Sequence, residues 1–87
     1  MANHQDALKR MRQNKKRRLH NRHYRSTMRT QIKKVRAAVA AGDAQSAQSE
    51  LNSAVSIIQR LASKRIIHRR NAARRVSRLY KAVNGIG

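Results

Sequence analysis

The first glycine in this chain is Gly42, and there is no proline anywhere. That uninterrupted stretch constrains the fold more than any other feature, because Gly and Pro are the residues that end or kink a helix. It is filled largely by Ala, Arg, Lys, Gln, Met and Leu, which lose little side-chain freedom in a helix. A first helix is predicted over about residues 5–41, roughly 55 Å long at about 1.5 Å per residue. Gly42 followed by Asp43 reads as a helix C-cap joined directly to an N-cap. Two more helices are predicted at about residues 43–62 and 68–84. Between them lies a weaker interruption, Ala62-Ser63-Lys64-Arg65-Ile66-Ile67, where the apolar phase changes.

Each predicted helix is apolar on one side. In the second half of the first, Tyr24, Met28, Ile32, Val35 and Val39 share an arc of about 80°, taking 100° per residue. Extended backwards, that stripe meets Asn21, Arg17, Asn14, Gln13 and Arg10, so the core should end near Tyr24. The second helix groups Ala44, Ala47, Leu51, Ala54, Val55, Ile58 and Leu61, and the third groups Ala72, Ala73, Val76, Leu79, Tyr80 and Val83. The predicted fold is all-α, an antiparallel three-helix bundle forming a single domain over residues 1–87. Its N-terminal helix is extra-long and basic, with residues 1–22 as an arm. Tyr24 and Tyr80, the only aromatics, fall on apolar faces and are expected in the core. A core this small and Ala-rich supplies no more than about 3–5 kcal/mol. Weak stability alone, and stabilisation by a bound partner through mass action, are the expectation.

Charge identifies the partner class. The chain has 22 Lys and Arg against 3 acids, Asp6, Asp43 and Glu50, for a formal net charge of +19. A compact protein with that charge repels itself and needs a polyanion nearby. Nucleic-acid phosphates bind Lys and Arg and release condensed counterions. Arg22, Arg25, Arg29, Lys33 and Arg36 form a second arc of about 80° on the first helix, read as opposite the apolar stripe. Arg70, Arg74, Arg78 and Lys81 repeat the arrangement on the third, and the second helix has no such row. A row that merely solvated a bundle would mix signs in i,i+4 pairs. These rows contain no acid, which favours phosphate binding.

Residues 9–18 form a denser block in which Lys9, Arg10, Arg12, Lys15, Lys16, Arg17 and Arg18 are the candidate contacts. Such a block is expected to be disordered or frayed when free and helical once phosphates neutralise it. As an arm it reaches beyond the bundle to a second nucleic-acid element. With so few aromatics, base-stacking platforms are not expected. Recognition should rest on backbone contacts, with Asn14, Asn21, Asn71, Ser26, Thr30 and Ser77 as neutral partners. Contacts of that kind read shape and register more than sequence.

Other classes find less support. The chain has no Cys, so there is no disulfide framework, thiol nucleophile or thiolate metal site. His20 and His23, at i,i+3, suggest metal only weakly, since no carboxylate completes a set and flanking Arg repels a cation. Three acids leave no paired-carboxylate site, and neither a nucleophile–base constellation nor a phosphate-cradling Gly loop is visible. No enzyme, cofactor or small-molecule substrate is expected. The N-terminal stretch has no apolar run fit for a signal peptide or membrane span. A transit peptide is disfavoured because the basic character continues to Lys81. Two other classes compete: a nucleoid-type DNA-binding protein, and a basic amphipathic membrane binder that would need bulky apolar residues on exposed faces.

The stretches Arg25-Ser26-Thr27-Met28-Arg29-Thr30-Gln31-Ile32-Lys33-Lys34-Val35 and Lys64-Arg65-Ile66-Ile67-His68-Arg69-Arg70-Asn71-Ala72-Ala73-Arg74-Arg75-Val76-Ser77-Arg78-Leu79 are specific together, in this order and at this separation. With the start Met1-Ala2-Asn3 and the Ala41-Gly42-Asp43 turn, they resemble protein twenty of the bacterial small ribosomal subunit, the S-twenty family. The likeness covers nearly the whole chain. It implies a three-helix bundle lying on 16S ribosomal RNA in the small ribosomal subunit, touching the 5′ domain and the 3′ penultimate stem and binding early in assembly. Carried onto this chain, the implied RNA contacts are Arg25, Arg29, Lys33, Lys34, His68, Asn71, Arg74 and Arg78, and Lys64 in the same stretch joins the candidates. Arg65 stands where the family usually has Gly, and a non-Gly residue is strained in a left-handed conformation, so the family's geometry at the second turn does not carry over directly. The resemblance also implies a cytoplasmic ribosome, with a plastid ribosome as the other setting, and removal of Met1 before Ala2.

Overall fold

The computed structural model describes residues 4–86. The Met1-Ala2-Asn3 start, with the expected removal of Met1, and Gly87 lie outside the described residues. Three helices follow in order: α1 (His4–Ala40), α2 (Ala44–Ser63) and α3 (Arg69–Asn84). α2 packs against both neighbours, while α1 and α3 approach each other least. A groove is left between them.

Both turns are built by backbone chemistry. After α1, Gly42 adopts φ 71°. Its N–H reaches the Val39 carbonyl at 3.0 Å, and the Asp43 N–H reaches Ala38 at 3.1 Å. This paired pattern closes a helix around a left-handed residue and satisfies carbonyls the helix leaves open. Asp43 then starts α2, its carboxylate accepting from the Ser46 N–H at 3.1 Å. The second turn repeats the pattern with a different residue. Arg65 N–H bonds to the Ala62 carbonyl at 3.0 Å and Ile66 N–H to Leu61 at 2.9 Å, around Arg65 at φ 60°. An arginine thus holds the left-handed position, at a cost of about 1–2 kcal/mol relative to a right-handed conformation. His68 caps α3, its Nδ1 accepting from the Arg70 N–H at 3.1 Å.

Met28, Ile32 and Val35 of α1 meet Ala47, Leu51, Ala54, Ile58 and Leu61 of α2 and Ala72, Leu79 and Val83 of α3 in one core. The apolar stripe of α1 ends where expected: Tyr24 is half-buried and, apart from Asn21, every described residue before it is exposed. Ile66 in the second turn is also buried, set against the core by the same bonds that close α2. Gln31 ties α1 to α2 by donating from Nε2 to both the backbone carbonyl and the carboxylate of Glu50.

Three stripe positions are corrected. Ala44 and Ala73 are exposed, and Tyr80 is 42% exposed. Ala73 and Tyr80 sit at one edge of the α3 stripe, and the buried arc is narrower than the apolar arc because two helices cannot cover the whole of a third. Ala44 lies in the first turn of α2, where the chain is still leaving the connection. The arm is helical from His4 onward, as the predicted first helix has it, because its residues are strong helix formers even without packing. Leu8, Met11 and Leu19 project from it into solvent. The molecule measures 66 × 20 × 14 Å. Its accessible area is 7181 Å², against roughly 5,200 Å² for a compact monomer of this mass. The excess is the bare arm.

Candidate nucleic-acid interface

Cationic side chains collect in three connected places. The first is the groove between α1 and α3, lined by Arg36 of α1 and Asn71, Arg74, Arg75 and Arg78 of α3, over a floor of Ile32, Leu79 and Ala82. The second continues it toward the second turn, where Arg25 and Arg29 face His68, Asn71 and Arg75. The third runs along the arm, where Asn14, Arg17, Arg18, Asn21 and Arg22 lead into Arg25 and Arg29. Arg25 and Arg29 thus belong to both the arm face and the groove. No acidic residue lines any of the three.

The cationic row of α1 is corrected in phase: at 100° per residue its centre lies about 100° from that of the apolar stripe. Arg25 and Arg36 border the groove beside the apolar stripe, not opposite it. Arg25 is near enough to the second turn to donate from its guanidinium to the Ile66 carbonyl at 3.0 Å. The α1 row and the α3 helix therefore face one concave strip instead of two separate outer walls. Arg70 and Lys81 lie on the outer side of α3, and Lys33 is exposed on α1. Lys34 falls on a different side of α1, about 100° from its neighbour in the row. In the arm, Lys9, Arg10, Arg12, Lys15 and Lys16 are all exposed.

Arg75 was missed by reading the chain, although it lines both parts of the groove. It is half-buried, and its Nε donates to Asn71 Oδ1 at 2.7 Å. The signal was present: Asn71, Arg75 and Arg78 follow i, i+4, i+7 spacing along one edge of the α3 stripe. His68 is both a helix cap and a groove residue. Lys64 holds its Nζ 5.2 Å from the Tyr24 ring centre, and His20 stacks loosely on the same ring, centroids 6.3 Å apart. His20 and His23 thus serve as aromatic neighbours of Tyr24. Among the described residues no three His, Asp or Glu side chains group as a metal set, and no helix is long and apolar enough to cross a membrane.

Comparison with known proteins gives the family. The family model described as ribosomal protein S20 matches residues 2–84. The chain belongs to the ribosomal protein S20 family. This is a family of ribosomal proteins, not of enzymes. Among its relatives, the small ribosomal subunit protein bS20 of Geobacter sulfurreducens is 54% identical over 87 residues, covering 100% of both chains. That of Geotalea daltonii is 57% identical over 84 residues, covering 97% of each. The S20 family match takes in all three helices and both turns, so it spans the arm and the groove together.

Proposed function

We propose that the protein is a structural constituent of the small ribosomal subunit that holds 16S ribosomal RNA by neutralising its phosphates. The observation that carries the reading is the acid-free strip, which runs from the arm through Arg25 and Arg29 into the α1–α3 groove. Cations on a rigid bundle stay at fixed separations, so they match the phosphate spacing of one RNA fold and not another. The arm extends the strip far enough to bridge two RNA elements that would otherwise repel. The 5′ domain and the 3′ penultimate stem are the proposed pair, in a bacterial cytoplasmic ribosome, consistent with the bacterial sources of the relatives. α2 presents Gln45, Gln48, Ser49, Asn52, Ser53 and Ser56 outward, nearly uncharged, and faces away from the RNA.

The test is footprinting of 16S ribosomal RNA with and without the protein, combined with a salt titration. Protection should appear in both elements. Affinity should fall by roughly 10³–10⁵ between 50 and 200 mM salt, as for 6–10 phosphate contacts. A flat salt response, or equal affinity for duplex DNA, would count against the reading and favour a nucleoid-type protein.

A further inference from the structure

We propose that Arg65 is an RNA-backbone contact, completing a notch at the root of the arm that seats one phosphodiester group. The inference rests on the RNA-binding reading above and assigns it a residue and a place.

Two independent observations carry it. The first is conformational. Arg65 has φ 60° and is the one described non-glycine residue with positive φ. Its β-carbon crowds the backbone there, and glycine would occupy the same turn without strain. The hydrogen bonds that close the turn run between backbone groups, and the Arg65 side chain is exposed with no hydrogen bond to another described residue. Nothing inside the protein offsets the strain of having a side chain at this position. Strain of this kind collects where a ligand uses the strained residue.

The second observation is placement. Arg65 and Lys64 from the turn line one notch with Lys16 and Arg17 from α1, over Tyr24 and Ile66. Four cations from two elements converge there, and no acid lines the notch. The geometry is held firmly. Lys64 holds its Nζ 5.2 Å from the Tyr24 ring centre, and the turn is tied to α1 by the bond from Arg25 to the Ile66 carbonyl. A phosphate entering the notch relieves the mutual repulsion of the four cations and meets donors from both sides. It would sit where the arm leaves the bundle, so it fixes the angle at which RNA passes from the groove to the arm.

Full-length protein and a 16S ribosomal RNA transcript provide the test, using Arg65→Gly, Arg65→Gln and, as a control for lost charge on the neutral helix, Arg60→Gln. Thermal melting and RNA affinity across a salt series are the measurements. Arg65→Gly should melt at a higher temperature than wild type yet bind about tenfold more weakly, with the salt slope reduced by about one. Arg65→Gln keeps the strain and should lose the same affinity, while Arg60→Gln should change neither slope nor affinity. If Arg65→Gly binds as tightly as wild type with the same slope, or if Arg60→Gln loses as much, the proposal is overturned while the broader reading stands. Wild-type protein that shows no salt-dependent binding overturns both.

Discussion

The guanidinium of Arg25 donates to the backbone carbonyl of Ile66 at 3.0 Å, joining positions 41 residues apart in the chain. The bond brings together the point where α1 leaves the core and the turn that starts α3. One side chain thus helps set the width of the groove while also standing on its rim.

Arg25→Ala should therefore affect both folding and binding. Loss of the bond should cost about 1 kcal/mol of stability, read as a shift in the urea midpoint, and RNA affinity should fall with it. Arg25→Lys should keep most of the charge effect on affinity but lose the planar donor geometry. An unchanged urea midpoint for Arg25→Ala would show that the turn is held by its backbone bonds alone.

Arg29 and Arg74 are different, because both are exposed and lie on facing walls of the strip. The double variant Arg29→Ala with Arg74→Ala should leave helix content by circular dichroism unchanged. Its RNA affinity should drop, with a salt slope shallower by about two, one for each phosphate contact. Collapse of helicity would reassign these residues to the fold.

Ile58, in the C-terminal half of α2, is 0% exposed. Ile58→Ala should cost about 2–5 kcal/mol, comparable to the whole of the about 3–5 kcal/mol expected of so small a core. The variant should be largely unfolded by circular dichroism at 25 °C. Saturating 16S ribosomal RNA should restore helicity, since a ligand that binds only the folded state draws the equilibrium toward it.

The first turn gives a local test. Asp43→Ala removes the acceptor for the Ser46 N–H and should lower stability by about 1 kcal/mol. Gly42→Ala meets no neighbouring atom within 4 Å but must adopt φ 71°, and it should cost about 1–2 kcal/mol for that backbone conformation alone. Thermal melts of the two variants should show similar drops.

Much of this was legible in the residues because the signals were local. Gly42-Asp43 marks a turn by backbone chemistry that needs no distant partner. The stripe through Met28, Ile32 and Val35 names its own core face, and its polar continuation at Asn21 and Arg17 marks where packing stops. The resemblance carried by the two basic stretches agrees with the family found by comparison. Arg75 and the open groove beside the α1 row were harder to see. A helical phase says how far one residue lies from another around its own axis. It does not say which side a neighbouring helix will leave open.

The sequence by itself determined that the chain is helical, where it turns, which faces turn inward and that it is strongly cationic, because propensity, capping, apolar period and net charge all act over a few residues or over the chain as a whole. The tertiary structure alone decided that α1 and α3 stand apart across a groove, that Arg25 reaches Ile66, and that Lys16, Arg17, Lys64 and Arg65 share one notch. Those relationships depend on how helices pack against α2, and contacts between residues far apart in the chain exist only after that packing has occurred.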